Sequence, residues 1–116
     1  MEGSRPASEV RKMYFDIFPN KVKLWRDKGA RIIDVCEPFE FAQGRVTGAE
    51  DVPLAKSPVR ANELNGPLVL VCASGDRSSA AISALLAAGY TNVSNLTDGF
   101  KTWQEHNLPT EKGRAA

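Results

Sequence analysis

The 116-residue chain is poor in cysteine, histidine and net charge, and each shortage excludes something. Two cysteines, Cys36 and Cys72, cannot build the disulfide framework of small secreted domains, and a chain of this length can bury a core without one. One histidine, His106, and two cysteines with no zinc-like spacing give no ligand set, so neither metal nor other cofactor is expected. Net charge is +1 with the basic residues scattered, which lacks the basic stripe of a nucleic-acid partner. No apolar run approaches the roughly 20 residues that cross a bilayer. The opening "MEGSRPASEVRKMYF" lacks the apolar segment of a signal peptide. These absences predict a protein of the reducing cytoplasm with reduced thiols and no membrane partner.

What is present fits one globular domain: 42% hydrophobic and 25% charged residues are ordinary proportions for a chain that folds. Residues 1–12 are polar and read as a flexible N-terminal segment, 13–110 as the domain and 111–116 as a flexible tail. "KVKLWRDKGA" (21–30) predicts a short helix between Pro19 and Gly29, and "RIIDV" (31–35) a buried strand. "EPFEFAQGR" (37–45) reads as one or two helical turns ended by Gly44. "AEDVPL" (49–54) reads as a weak strand, with Pro53 marking an edge or an end. "SPVRANEL" (57–64) suggests a short helix, and "LVLVC" (68–72) is the strongest strand, apolar on both faces as a central parallel strand must be. "SSAAISALLAAG" (78–89) reads as a helix, with Ser78 and Ser79 at its cap and Gly89 at its end. "NVSNL" (92–96) and "GFKTWQEHN" (99–107) complete an alternation of strands and helices, which predicts an α/β domain with a largely parallel sheet.

The junction "LVLVCASGDRSS" carries the chemistry. Ligands of open α/β sheets bind beyond the carboxyl ends of the strands, where Cys72 stands. Ala73, Ser74, Gly75, Asp76, Arg77 and Ser78 are mostly small or turn-forming, so their backbone N–H groups can converge on an anion. The following helix adds its positive end, and Arg77 adds a cation. Such surroundings favour a thiolate, the nucleophilic form of cysteine. Asp34 and Glu40 are candidate carboxylate partners for Arg77, and Asp76 is expected at the solvent rim. Against this stands the plain alternative that a cysteine at a strand end is a core residue.

The loop resembles the active-site loop of single-domain rhodaneses, written Cys-x-x-Gly-x-Arg-Ser. "RIIDVCEPFEFAQGRVTGAEDVPL" is similar to that family's I-D-V-R-x-x-x-E-F-x-x-G-H-I-P-G-A-x-N-I-P. "GYTNVSNLTDGFKTWQEHNLP" resembles its ending G-[YF]-x-x-V-x-x-L-x-G-G-[IF]-x-A-W. The resemblance spans residues 31–109. It implies a three-layer domain with a central, mostly parallel five-stranded sheet flanked by helices. It also implies sulfurtransferase chemistry through a Cys72 persulfide. The residues Ala73, Ser74, Gly75, Asp76, Arg77 and Ser78 would bind substrate, and Asp34 or Glu40 would support the loop. The implied partners are a small donor such as thiosulfate and an acceptor, cyanide in an assay or a thiol in the cell; a protein sulfur acceptor belongs to the carrier reading below. Four residues separate Cys72 from Arg77. The cell-cycle phosphatases that share the fold have one more and a histidine before the cysteine, where Val71 stands here. The narrower cradle suits one sulfur atom. Departures are Cys36 for the family's arginine, Gly44-Arg45 for Gly-His, Thr47 for proline and Asp98-Gly99 for Gly-Gly.

A persulfide carrier or regulatory binding module would share every motif but turn over small donors poorly, and a redox or phosphatase-like enzyme is a weaker third reading. Cys36 is a candidate resolving thiol, though a simple replacement accounts for it. His106, near the end of the last helix, suits interaction with open carbonyls better than catalysis. No nucleophile elbow accompanies Ser74 for a hydrolase triad, and Trp25, Phe100 and Trp103 read as core rather than a ligand cage.

Overall fold

The computed structural model describes residues 15–53, 66–73, 76–90 and 92–113. Five strands form one sheet in the order β1-β6-β5-β2-β4: β1 (Phe15–Ile17), β2 (Arg31–Asp34), β4 (Glu50–Asp51), β5 (Leu68–Val71) and β6 (Val93–Leu96). Every pairing in it is parallel. The helices are α1 (Val22–Asp27), preceded by a 3-10 turn at Pro19–Lys21, then α2 (Pro38–Gln43), α3 (Asp76–Ala87) and α4 (Gly99–Glu105). A small antiparallel pair joins β3 (Arg45–Val46) to β7 (Thr110–Glu111).

Burial of β5 on both faces explains why its sequence is unbroken apolar rather than alternating. Leu68 and Leu70 pack with Ile33, Val93 and the α3 residues Ala81, Ile82 and Leu85. Val69 and Val71 face the opposite core with Ile32, Leu96, Val22 of α1 and Trp103 of α4. The sheet is therefore sandwiched, and each fully buried Leu or Ile contributes about 1.5–3 kcal/mol of transfer free energy. α3 stops as the sequence predicts. Gly89 takes φ +97°, its N–H reaches Leu86 O at 3.0 Å and Tyr90 N–H reaches Leu85 O at 2.9 Å, closing the last open carbonyls.

Three differences from the sequence reading have local causes. α3 begins at Asp76, so Ser78 and Ser79 lie inside its first turn rather than capping it. β1 was not foreseen; it is three residues long and acquires strand character only by pairing with β6. The chain also continues in ordered structure past residue 110. Glu111 pairs with Arg45, and Gly113 N–H donates to Ala42 O of α2 at 2.7 Å. The predicted helix at 57–64 and the N-terminal segment 1–12 lie outside the described residues. Pro53 does follow an edge strand, since β4 ends the sheet order.

Candidate active site

Cys72 follows β5 at the carboxyl edge of the sheet and is 1% exposed. Its sulfur lies 3.5 Å from Ser78 Oγ, in the first turn of α3. Ala73 comes next, while Ser74 and Gly75, at the centre of the expected cradle, lie outside the described residues, as does the Asp76 side chain. The carbonyls of Cys72 and Ala73 are held from the other side by α4: Phe100 N–H donates to Cys72 O at 2.7 Å and Lys101 N–H to Ala73 O at 3.1 Å. This close approach requires glycine at 99. A Cβ there would sit 2.1 Å from Cys72 O, and the residue has φ +64°. Asp98 before it also has positive φ, 56°, a conformation that aspartate tolerates better than most residues. Of the expected Gly-Gly pair, the second position is thus sterically required and the first is not.

Arg77 chooses between its two candidate carboxylates. Its guanidinium grips Glu40 bidentately, Nη1 to Oε1 at 2.6 Å and Nη2 to Oε2 at 2.9 Å. Glu40 is itself oriented by α2, because its Oε1 also accepts the Glu37 N–H at 3.1 Å. The pair is self-reinforcing. The hydrogen bonds from Arg77 hold the Glu40 carboxyl below its ordinary range, and Glu40 raises Arg77 further. Asp34 instead accepts the Cys36 N–H at 2.9 Å through Oδ1, and burial pushes its carboxyl up. The Cys36 thiol is pushed up to about 12, first by burial and then by the Asp34 carboxylate beside it. At neutral pH such a thiol is almost wholly protonated and a poor resolving nucleophile.

An open crevice of about 280 Å³ adjoins this edge, lined by Asp34, Cys36, Glu40, Gln43, Gly44, Ala73, Phe100 and Gln104. It falls just below the range of drug-sized ligand pockets, about 300–1,000 Å³. Its described wall carries two carboxylates and no lysine, arginine or histidine. His106 does not line the crevice; it caps the end of α4, where its backbone N–H bonds Thr102 O at 3.1 Å. Trp103 is buried in the core with Nε1 donating to Pro109 O at 2.8 Å, and Trp25 and Phe100 pack against the same core. Arg45, replacing the expected histidine, is buried. It donates to Phe41 O at 3.1 Å and Gly113 O at 2.7 Å and lies 4.3 Å from the centre of the Phe41 ring. Among the described residues no cluster of His, Cys, Asp and Glu could hold a metal, and no helix is long and apolar enough to cross a membrane.

One residue near Cys72 escaped the sequence reading. Asn95 of β6 is 5% exposed and accepts the Ser78 hydroxyl on Oδ1 while donating from Nδ2 to Asp16 Oδ1 of β1 at 3.0 Å. The available signal was its place in an inner strand. In a sheet covered on both faces every residue of such a strand is buried, as all of Val93–Leu96 are, and a buried amide must find partners.

A model of the rhodanese-like domain matches residues 18–106. The chain belongs to the rhodanese-like domain family. Among relatives of this rhodanese-like chain is the thiosulfate sulfurtransferase GlpE of Pseudomonas aeruginosa. It is 30% identical over 102 residues, covering 85% of this chain and 93% of that protein. A rhodanese-related protein of Thermoplasma volcanium superposes with a TM-score of 0.75 at 26% identity, over 84% of this chain and 98% of the other. A Rhodopseudomonas palustris protein of unknown function, described as a possible tyrosine phosphatase, superposes at 0.78 over 96% and 98% of the two chains. Its identity is 18%, and it shares the fold alone.

Proposed function

We propose that this rhodanese-like domain is a sulfurtransferase in which Cys72 carries the sulfur as a persulfide. The observation that carries the reading is the placement of Cys72: its sulfur sits at the sheet's carboxyl edge, against the first turn of α3 and beside Arg77. With thiosulfate as donor, the Cys72 thiolate attacks the outer sulfur, a new S–S bond forms and sulfite leaves with the bonding pair. Cyanide or a thiolate then attacks that outer sulfur, forming thiocyanate or a new persulfide and returning the Cys72 thiolate. Arg77, oriented by Glu40, supports the loop residues Ala73, Ser74, Gly75, Asp76 and Ser78, whose amides would receive the anionic outer sulfur. The route needs a reduced Cys72, which a reducing cytoplasm would maintain.

One observation favours a second reading, a carrier that passes sulfur to a protein thiol with little turnover of small donors. Arg77 is already committed to Glu40, so the described crevice wall offers a dianion such as thiosulfate no further cation. Thiocyanate production from thiosulfate and cyanide, with intact mass after thiosulfate alone, separates the possibilities. Turnover and one added sulfur, both lost in Cys72→Ser, support the enzyme. An added sulfur that leaves only to a protein thiol supports the carrier, and no added sulfur on folded, reduced protein defeats both.

A further inference from the structure

A hydroxyl group has one proton to give. In Ser78 that proton is directed at Asn95 Oδ1, an oxygen that can only accept. Asn95 cannot exchange its two amide ends freely, because its Nδ2 donates to the Asp16 carboxylate directly across the parallel register. Ser78 therefore presents a lone pair to Cys72, and the contact runs from Cys72 S–H to Ser78 Oγ. All of this is buried except its outer anchor: Ser78 is 0% and Asn95 5% exposed, while Asp16 stands at the surface on edge strand β1.

We propose that Asn95 is a positioning residue for Cys72, holding the Ser78 hydroxyl with its oxygen rather than its proton toward the sulfur. In that arrangement the hydroxyl accepts from the S–H and does not donate to a sulfur anion. The start of α3 and Arg77 act in the opposite sense by favouring an anion. When the S–H proton leaves to solvent, the Ser78 hydroxyl turns about its C–O bond and donates to the sulfur instead. Asn95 Oδ1 then loses its donor in a buried place, which opposes the turn. Asn95 thereby sets how readily the nucleophile forms without touching it.

The charged and titratable groups around the sulfur come from every neighbouring element. Arg77 of α3 is paired with Glu40 of α2, and Asp34 and Cys36 lie at the end of β2. Asp98 and Lys101 occupy exposed positions at the start of α4. Among these described groups, Asp16 is the one linked through the Asn95–Ser78 chain, which makes its contribution separable.

The test follows the ultraviolet absorbance of the Cys72 thiolate against pH, as the difference between each protein and its Cys72→Ser counterpart. Asn95→Ala removes the acceptor, so the Ser78 proton can turn to the sulfur. The midpoint is expected to move to lower pH by about one unit, or about tenfold more thiolate at a given pH below it. In a Ser78→Ala background the same substitution is expected to leave the midpoint where it is. A midpoint that does not fall, or a fall that persists without Ser78, overturns the proposal. Should Asn95→Ala fail to fold, the exposed Asp16→Ala serves. It releases the amide to turn its Nδ2 toward Ser78, and its shift must be downward and must vanish with Ser78→Ala. No shift overturns the proposal equally. The readout uses no sulfur donor, so its failure is distinct from a failure of sulfur transfer.

Discussion

Replacing Gly99 by alanine probes the joint between the nucleophile's loop and α4. The new Cβ would lie 2.1 Å from Cys72 O and 2.9 Å from the Ala73 carbonyl carbon, both backbone atoms that no rotamer change can move aside. The left-handed backbone adds about 1 kcal/mol for a residue with a Cβ. Relief of the contact displaces the carbonyls that accept from Phe100 and Lys101. Each of those hydrogen bonds is worth about 1 kcal/mol, so a loss of about 3 kcal/mol is expected. Gly89→Ala is the matched reference. It has φ +97° but nothing within 4 Å of its Cβ, so it should lose only the conformational part, about 1 kcal/mol. Urea unfolding at equal m-value reads both as midpoints, expected to fall by about 2 M and less than about 1 M respectively. Equal losses in the two variants would refute the steric argument.

Two further outcomes follow from the charges. The Cys36 thiol is raised from 9.0 to about 12 in the folded chain, so between those pH values the unfolded chain gives up a proton that the folded chain keeps. Stability from this group is complete below about pH 9 and is lost as pH rises through the window, on the order of 2–4 kcal/mol in all. Urea midpoints taken from about pH 8 to about pH 11 should therefore fall less steeply for Cys36→Ala than for the wild type. Equal slopes would contradict the burial argument. Glu40 is the opposite case, because Arg77 lowers its carboxyl. The contribution of this partly exposed pair is present above the ordinary carboxylate range and is lost as pH falls through the lowered value. Glu40→Gln should cost about 1 kcal/mol at neutral pH and almost nothing in strong acid, as thermal melts at the two pH values would register.

The strands that are buried on both faces could be read directly from sequence. "LVLV" is a continuous apolar run because the sheet has two covered sides, "RIID" sets Ile32 and Ile33 side by side for the same reason, and Gly89 marks a helix end because only its backbone closes that turn easily. The position of Cys72 followed from the same logic. What could not be read depended on tertiary pairing. Asp34 and Glu40 were equivalent candidates for Arg77 until the orientation of α2 brought Glu40 to it and left Asp34 to the Cys36 N–H. Asn95 looked like any polar residue in a short strand, since its partners are 17 and 79 residues away in sequence. The start of α3 was misjudged because serine is a good cap in general, whereas here Ser78 is occupied with Asn95 and the helix has already begun. β1, β3 and β7 are so short that pairing, not propensity, makes them strands.

The sheet order has a consequence for biosynthesis. β1, made early, borders only β6, made late, with Phe15 registered against Ser94. On the ribosome β1 must wait for this partner until β6 has emerged, and such non-local closure is slow. The Asp16–Asn95 bond is made at that closure, so the surroundings of the cysteine are finished in one of the last events of folding rather than assembled locally around the loop. A nascent or truncated chain lacking β6 would hold Cys72 without its neighbours, an unfinished site rather than a weaker one.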